Sequence, residues 1–247
     1  MSTCDTLALT LSDGQTVAVE VRRRKGARNL RLSLGHRNQV VASIPARCGR
    51  RELSSFIEKH KVWIEAQLMS APPVRRLMDW LKTSPLLSGS GDRFTVRVEW
   101  TDRVRSDYIF DHGGSEICLR LPKLVDDREA ALVQLVRRFA QDAMHCRTAY
   151  HAKRLGLDFG KLTVRDQSSR WGSCSSNRDI SLNWRLVLLE PELQDYVILH
   201  ELAHLTELNH SKRFWSLLET YDPHRKAHEA RLDAYTAEIM RVGRQAE

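Results

Sequence analysis

Residues 191–205 constrain the fold most strongly, because apolar residues recur there at helical spacing around two histidines. Positions i and i+4 of a helix lie about 40° apart around the axis and one turn apart along it. His200 and His204 therefore point the same way and can offer two imidazole nitrogens to one metal ion. Pro191 lies in the first turn, a position that proline accepts. The segment predicts a buried helix with a metal site on one side.

Glu201 and His210 complete the predicted metal centre. Glu201 follows the first ligand, and its carboxylate can take a proton from water at the metal and pass it to a leaving group. His210 comes six residues after His204, and a turn at 207–209 would return it to the ion. Three imidazoles favour zinc and leave one position open for chemistry. The sequence predicts Zn²⁺ bound by His200, His204 and His210, with Glu201 as general base.

Two less specific interpretations of this helix remain. A pair of core histidines without metal, or a structural metal without catalysis, would also place histidines here, but neither gives Glu201 a role. His224 and His228 share the i, i+4 spacing, yet no acid follows His224 and the flanks are polar. A second metal site is therefore not expected at that pair.

The net charge of +8 lies entirely in the first third of the chain. Residues 1–76 contain 14 Lys or Arg and 6 Asp or Glu, whereas residues 77–247 contain 25 of each. A basic region attached to a neutral one indicates an anionic partner, of which nucleic acid is the usual example. The basic run at 22–25 is alternatively the solvated end of a hairpin, because charge runs alone are weak evidence.

Composition is that of a globular protein, with 42% apolar and 28% charged residues. No apolar run approaches the ~20 residues that span a bilayer, and the first residues lack the layout of a secretory signal. The five cysteines are scattered without a CxxC pair, which argues against a disulfide framework. We expect a cytoplasmic protein with no membrane partner, and the sequence leaves its oligomeric state open.

Hydrophobic periodicity predicts an α+β chain in which strands precede helices. The predicted domains are a basic, antiparallel β-rich module with one helix over 1–72, a short helix and strands over 73–125 that continue this N-terminal part, and a metallohydrolase domain over 126–247. Pro72 and Pro73 mark the first boundary. Beyond the metal-site helix, helices are predicted over 126–155, 211–221 and 224–242.

Separated blocks of the sequence resemble one family. They are RWGSCS at 170–175, ISLNWRL at 180–186, HELAH at 200–204 and NHSxxFW at 209–215. In this order and spacing they resemble the YgjP-like metallopeptidase domain family, a zincin group related to the SprT-like proteases and often filed with the M48 peptidases. The resemblance extends to the early arginine-rich hairpin and to the helix containing Trp63, and is weakest over 70–125.

The resemblance implies a zincin-like helical domain, in which a small antiparallel sheet packs beside the HExxH helix, and hydrolysis of a peptide or protein substrate. In zincins an edge strand commonly pairs with the extended substrate, and 180–186 is the predicted strand here. For Cys174, a position facing the cleft and ligation of the metal are two alternatives to a purely structural place, and ligation is the least favoured. The candidates for substrate contact or oxyanion stabilisation are Arg170, Trp171, Asn183 and Tyr221.

Two other functions are compatible with the same residues. One is a metal-dependent hydrolase of phosphoanhydrides, such as a nucleoside triphosphate pyrophosphatase, which cationic residues beside the cleft would favour. A hydrophobic side pocket would instead favour a peptide, and the chain has no Gly-rich phosphate loop. The other is a nucleic-acid-binding module whose metal is structural.

Overall fold

The computed structural model describes residues 5–35 and 37–244, which form two compact units. The first unit comprises the described residues up to Val74 together with Arg244, and the second runs from Arg75 to Gly243. Helices and small mixed sheets make up both units, so the predicted α+β class is confirmed. Within the part of the chain that the structure describes, no helix has both the length and the apolarity that crossing a bilayer requires.

The first unit is a four-stranded sheet with two helices. Its sheet has the order β1-β2-β4-β3, in which β2 and β4 are parallel, so the sheet is mixed and not purely antiparallel as predicted. Strand β4 is buried along nearly its whole length, whereas β3 alternates exposed and half-buried residues. A strand that is apolar on both faces belongs at the centre of a sheet, so β4 and not β3 pairs with β2. The elements are β1 (Asp5–Thr10), β2 (Thr16–Arg24), β3 (Arg31–Leu34), β4 (Val40–Pro45), α1 (Arg50–Lys59) and α2 (Lys61–Ser70).

The core of the first unit is almost entirely aliphatic. Alternate residues of β2 and β4 pack against Leu53 and Ile57 of α1 and Ile64 of α2. The sequence predicted one helix here, but the structure has two, because His60 leaves the helical conformation with φ −105° and ψ 14°. A ring nitrogen of His60 lies 2.8 Å from the carbonyl oxygen of Phe56.

The first half of the second unit repeats the same strand order. Its sheet runs β5-β6-β8-β7, again with the two central strands parallel, and the long helix α4 packs against it. Helix α4 begins at the Asp127 N-cap and ends at Gly156, which adopts the left-handed conformation at φ 65°. The elements are α3 (Leu77–Thr83), β5 (Leu86–Gly89), β6 (Asp92–Thr101), β7 (Asp107–Phe110), β8 (Glu116–Pro122) and α4 (Arg128–Leu155).

Residues 73–125 were predicted to continue the N-terminal part, and the structure places almost all of them in the second unit. Leu77, Leu87 and Ile117 are fully buried in the core that also contains α4 and the metal-site helix. The buried carboxylate of Glu129 on α4 accepts hydrogen bonds from the backbone N–H groups of Leu77 and Met78. Because a small sheet must bury one face against another element, these strands depend on α4.

The second half of the second unit holds a three-stranded sheet and three further helices. The sheet order is β10-β11-β9, with β11 antiparallel to β10 and parallel to β9. This sheet is therefore also mixed where an antiparallel one was predicted. The elements are β9 (Leu162–Arg165), β10 (Gly172–Cys174), β11 (Ile180–Asn183), a 3-10 helix (Trp184–Leu188), α5 (Pro191–Ala203), α6 (Lys212–Tyr221) and α7 (Arg225–Ile239).

The central place of β11 corrects one expectation. Residues 180–186 were predicted to form the edge strand that receives a substrate, but β11 is paired on both sides and the chain turns into the 3-10 helix at Trp184. The edge strand beside α5 is β10. Its three residues are too few to show an alternating pattern, which is why the sequence did not identify it as a strand.

The two ends of the second unit meet. Arg75 and Val242 form a parallel β-bridge, and the N–H of Gly243 donates to the carbonyl oxygen of Arg75 at 2.9 Å. An ion pair of 3.0 Å between Arg75 and Glu238 holds the end of α7 at the same point.

Candidate metal centre

Three histidine side chains converge where α5 ends and α6 begins. The possible ligand nitrogens of His200, His204 and His210 all lie within 4.8 Å of one another, and the Nε2 atoms of His200 and His210 are 2.9 Å apart. A turn after α5 reverses the chain, with the N–H of Glu207 donating to the carbonyl oxygen of Ala203 at 2.9 Å. In the described residues, no other group of three or more possible ligands is this close.

The tautomer of His204 is set by the turn that follows it. Its Nδ1 lies 3.0 Å from the carbonyl oxygen of Glu207, so Nδ1–H donates there and the lone pair of Nε2 is available to a metal. A ligand histidine whose other nitrogen is held by a backbone carbonyl is typical of protein metal sites. The turn thus brings His210 back beside α5 and fixes the orientation of the His204 ring.

Phe214 of α6 packs among the three imidazoles. Its ring stacks on His204 with centroids 4.5 Å apart, and its edge contacts lie at 4.9 Å from His200 and 4.7 Å from His210. Phe214 is fully buried, so these contacts restrict the rotation of all three rings. The Ser211 side chain accepts from the N–H of Phe214 at the start of α6 and thereby fixes the helix that carries this phenyl ring.

The electrostatics of the histidines suit a metal ligand set. Burial, with a smaller effect of His204 and His210, lowers the pKa of His200 to about 3, and burial also lowers the pKa of His204. Neutral imidazole is the form that binds a metal. Two nitrogens bound at about 2.0–2.1 Å to a tetrahedral zinc ion lie about 3.3 Å apart, so a small ring rotation makes the observed pair fit. The residues present therefore fit a metal ion with three imidazole ligands.

Glu201 is a buried carboxylate with an unused oxygen. Its side chain is buried, with a relative exposure of 5%, and Oε2 has no hydrogen-bond partner among the described residues. Burial raises the pKa of Glu201 to about 8, and the guanidinium of Arg170 opposes this rise. A nearby cation at the histidines would lower this pKa further, because opposite charge favours the ionised form. Such a group can change its protonation state within the site.

Gly172 of β10 leaves the space that Glu201 occupies. A Cβ atom at position 172 would lie 2.4 Å from Oε1 and 2.7 Å from Cγ of Glu201. These separations are well below van der Waals contact, so any larger residue would displace the carboxylate. Glycine at this position lets the edge strand run directly beside the proposed general base.

A cavity of about 220 Å³ opens beside Glu201 and His200. Its walls come from α5, α7 and the 171–172 segment, and Trp171 is held to α7 by a 2.9 Å hydrogen bond from Nε1 to Oγ1 of Thr236. The remaining lining residues are Tyr196 and Val197 of α5 and Glu229, Leu232 and Asp233 of α7.

The four candidate substrate residues have different environments. Arg170 is exposed and close enough to Glu201 to affect its pKa, and Trp171 lines the cavity beside it. Asn183 is fully buried, and its side-chain amide donates to the carbonyl oxygens of Gln167 and Arg170, so it supports that loop. Tyr221 lines a separate cavity of about 280 Å³. The structure thus brings Arg170 and Trp171 to Glu201 and places the other two elsewhere.

A larger cavity of about 730 Å³ is lined by the three-stranded sheet and the loop after β9. It includes the cationic side chains of Lys161, Arg165 and Arg170, together with Cys174. Burial, followed by the Glu201 carboxylate, raises the pKa of Cys174 to about 11, so this residue remains a thiol at neutral pH. Cys174 is not part of the histidine cluster.

A family model describes most of this chain. The YgjP-like metallopeptidase domain matches residues 28–235, a range that includes the three histidines and Glu201. The chain belongs to the YgjP-like family. Membership implies a metal cofactor, and the histidine cluster is the group of described residues that can hold it.

Two solved structures of archaeal metallopeptidase zymogens are similar to part of this YgjP-like chain. Abylysin of Pyrococcus abyssi is 28% identical, over 37% of this chain and 92% of that chain, with a TM-score of 0.34. Jannalysin of Methanocaldococcus jannaschii is 21% identical, over 38% of this chain and 96% of that chain, also with a TM-score of 0.34. No curated protein matches the chain.

Several residues of this site were not identified from the sequence. Tyr196 lies one turn before His200 on α5, and its position i−4 was a usable signal. Glu229 and Asp233 have the same spacing on α7, where the sequence drew attention to His224 and His228 instead. In the structure, Nδ1 of His228 lies 2.7 Å from the buried Asp222 carboxylate.

Proposed function

We propose that this protein is a zinc metallopeptidase in which Glu201 is the general base. The observation that carries the proposal is the buried, partly unpaired Glu201 carboxylate beside three converging imidazoles, with Gly172 leaving room for it. A structural metal site would have no use for such a carboxylate. A buried polar group without a partner destabilises the fold by roughly 1–3 kcal/mol, which a catalytic role would explain.

Each residue then has a defined part in hydrolysis. A zinc ion held by the histidines supplies Lewis acidity, which lowers the pKa of water and polarises the scissile carbonyl. Glu201 takes the proton of the attacking water and donates it to the leaving amine. Arg170 and Trp171 are the proposed substrate contacts. Phe214 and the Glu207 carbonyl keep the imidazoles in position.

The backbone of β10 is the proposed docking strand for the substrate. Ser173 pairs directly with Ser181 of β11, and the N–H of Asn183 donates to the carbonyl oxygen of Trp171 at 2.8 Å. Because hydrogen-bonded positions alternate along an antiparallel pair, the backbone groups of Gly172 and Cys174 point away from β11. An extended peptide paired there would pass beside Glu201.

The second candidate function is hydrolysis of a phosphoanhydride. The observation in its favour is the cationic set of Lys161, Arg165 and Arg170 in the larger cavity. The cavity next to Glu201 favours a peptide instead, because part of its wall is apolar and Glu229 and Asp233 in it are acidic. Carboxylates would repel a triphosphate at the position where the reaction occurs.

The deciding experiment compares wild-type and Glu201→Gln proteins, both loaded with zinc, on unfolded proteins, peptides and nucleoside triphosphates. Glu201→Gln should retain zinc and lose about 10²–10⁴-fold in peptide hydrolysis. Equal turnover by the two proteins would refute the general-base role. Hydrolysis of triphosphates alone, abolished by the same variant, would establish the second candidate.

Metal content tests the ligand assignment, and activity with different metals tests the choice of zinc. His204→Ala should reduce the bound metal measured by elemental analysis, and full occupancy in this variant would show that another residue is the ligand. Wild-type protein reloaded with zinc, manganese or nickel should be most active with zinc. A higher rate with either other metal would show that zinc is not the preferred ion.

A further inference from the structure

The cavity beside Glu201 is built from one face of each of two helices. Tyr196 and Val197 lie one turn before His200 and Glu201 on α5, so all four side chains share a face. On α7, one helical face likewise carries Glu229, Leu232 and Asp233, at positions i, i+3 and i+4. Its volume of about 220 Å³ is below the ~300–1,000 Å³ of sites that hold a whole small molecule. The cavity therefore has the size for one side chain of a longer ligand.

The walls of this cavity combine apolar surface with negative charge. Trp171, Val197 and Leu232 provide the apolar part. The carboxylates of Glu229 and Asp233 provide the charge, and both contribute with burial to raise the pKa of Tyr196. At the inner end, the buried Glu201 carboxylate has an oxygen without a partner in the described residues.

The cations near this cavity offset only part of its negative charge. Nη1 of Arg225 lies 3.9 Å from Glu229, but the same guanidinium is 3.9 Å from Glu219 and packs over the ring of Trp215 at 5.0 Å. Asp233 forms no ion pair with any residue that the structure describes, and it is exposed. Arg170 is close enough to lower the pKa of Glu201, but it is not among the residues that line this cavity.

We propose that this cavity binds a lysine or arginine side chain of the substrate, next to the bond that is cleaved. The methylene groups would pack on Trp171, Val197 and Leu232, and the cationic head would reach Asp233 and Glu229. Long basic side chains bury their stems on apolar surface and keep the charged end among polar groups. The inference rests on the proposed peptidase function, and it adds that the substrate has a basic residue beside the scissile bond.

The binding test uses zinc-loaded Glu201→Gln protein, which should hold peptides without cleaving them. Fluorescent peptides of one sequence would carry lysine, norleucine or glutamate at each position in turn, with affinity measured by anisotropy. At one position, lysine should bind about tenfold more tightly than norleucine, and glutamate should bind most weakly. Adding Asp233→Asn should remove most of the difference between lysine and norleucine, and Asp233→Lys should reverse the order of lysine and glutamate.

A matched variant separates local from general electrostatics. Glu58 is exposed on α1 in the first unit, and Glu58→Lys changes the net charge by the same amount as Asp233→Lys. This control should leave the lysine preference unchanged. Equal affinity for lysine and norleucine at every position, absence of peptide binding, or a preference that Asp233→Lys does not alter would each refute the proposal.

A cleavage test with wild-type protein distinguishes this proposal from the proposed function. Mass spectrometry of a digested peptide library should show lysine or arginine enriched at one position relative to the cleaved bond. Cleavage without this enrichment would refute the basic-residue preference and leave the peptidase function intact. If nothing is cleaved, the peptidase function fails, and the binding test alone decides whether the cavity recognises a basic side chain.

Discussion

The two four-stranded sheets of this protein have the same strand order, but only the second shares its core with the metal-site helix. The order β1-β2-β4-β3 in the first unit is repeated as β5-β6-β8-β7 in the second. The first sheet is completed by α1 and α2, and its core is almost entirely aliphatic. The second sheet packs against α4, and the same core extends to the three-stranded sheet and the metal-site helix. The shared topology therefore does not determine which unit can carry a reaction.

The difference lies in what each unit buries besides apolar surface. All the buried polar or charged residues of the described chain belong to the second unit. Glu129 accepts from the backbone of α3, Gln194 donates to three carbonyl oxygens, and Arg185 is paired with Asp166. Each of these three side chains makes at least one hydrogen bond or ion pair, whereas the structure shows no hydrogen-bond partner in the described residues for Oε2 of Glu201. Glu201 differs from the other buried polar groups because its carboxylate lies beside the three converging histidines.

The largest expected effect is on the free energy of unfolding, when one ion pair is broken in each unit. Arg185 is fully buried and pairs with Asp166 at 2.5 Å, whereas Arg22 and Glu20 form an exposed pair at 2.9 Å. Asp166→Ala removes a carboxylate partner of a buried guanidinium and should lower the free energy of unfolding by about 3 kcal/mol. Glu20→Ala should lower it by less than about 1 kcal/mol. Urea unfolding measures both values, and equal losses would contradict the contrast between the units.

The next largest effect is on activity, when one glycine in each unit is replaced with alanine. Gly172→Ala would push a methyl group into Glu201 and should lower activity about 10²-fold through misplacement of the carboxylate, with metal content unchanged. Gly49→Ala is the control, because no atom lies within 4 Å of the added Cβ. Kinetics and metal analysis of both proteins provide the test, and a fully active Gly172→Ala protein would show that Glu201 is not confined as described.

A smaller effect concerns pH and the metal-free protein. The folded state keeps the Glu201 proton up to pH about 8, whereas the unfolded chain releases it near pH 4.5, so stability is lost as pH rises through this range. Burial lowers the pKa of His200 to about 3, so the unfolded chain takes up this proton first and stability is lost as pH falls below 6.5. Between pH 6.5 and 8, chelator-treated protein should therefore lose about 1–2 kcal/mol of unfolding free energy through Glu201.

Glu201→Gln is the matched variant for this measurement. Glutamine does not titrate, so the part of the slope that depends on Glu201 should be absent when both proteins are unfolded by denaturant at several pH values. Identical slopes in the two proteins would show that Glu201 is ionised in the folded metal-free state, contrary to the effect of its burial.

The smallest effect on catalysis is expected in the basic first unit. Arg22 and Arg31 both lie beside Ser43 in the sheet register, and Arg24 is on the same face as Arg22. Replacing Arg24 and Arg31 with glutamine should leave peptide hydrolysis unchanged. If this face binds nucleic acid, the dependence of log affinity on log salt should fall by about 0.9 for each phosphate contact removed. No binding by wild-type protein at low salt would exclude a nucleic-acid partner.

Much of the fold and the centre of the site could be predicted from local signals in the sequence. The helix with His200 and His204 follows from apolar periodicity, and α4 follows from the same pattern with an acidic N-cap. These predictions depend on residues within one or two turns of each other. The predicted end of the N-terminal module at residue 72 lies close to the boundary after Val74 for the same reason, because proline marks it locally.

The features that sequence reasoning did not find depend on long-range packing. Strand β4 pairs with β2 because β4 is buried on both faces. The cavity at Glu201 forms only because α7 packs beside α5. Asn183 was a substrate candidate from its motif, yet its amide is committed to the backbone of the 167–170 loop. Such partners are distant in sequence, so no spacing rule identifies them.

The meeting of Arg75 and Val242 gives the second unit an entry and an exit at one point. A unit with adjacent ends can be inserted into a host protein between two neighbouring surface positions, without separating them. Gene rearrangements could therefore carry the histidine cluster and its cavity together into a new context. The same closure permits circular permutation, with new ends in the exposed 111–115 turn and the old ones joined by a short linker.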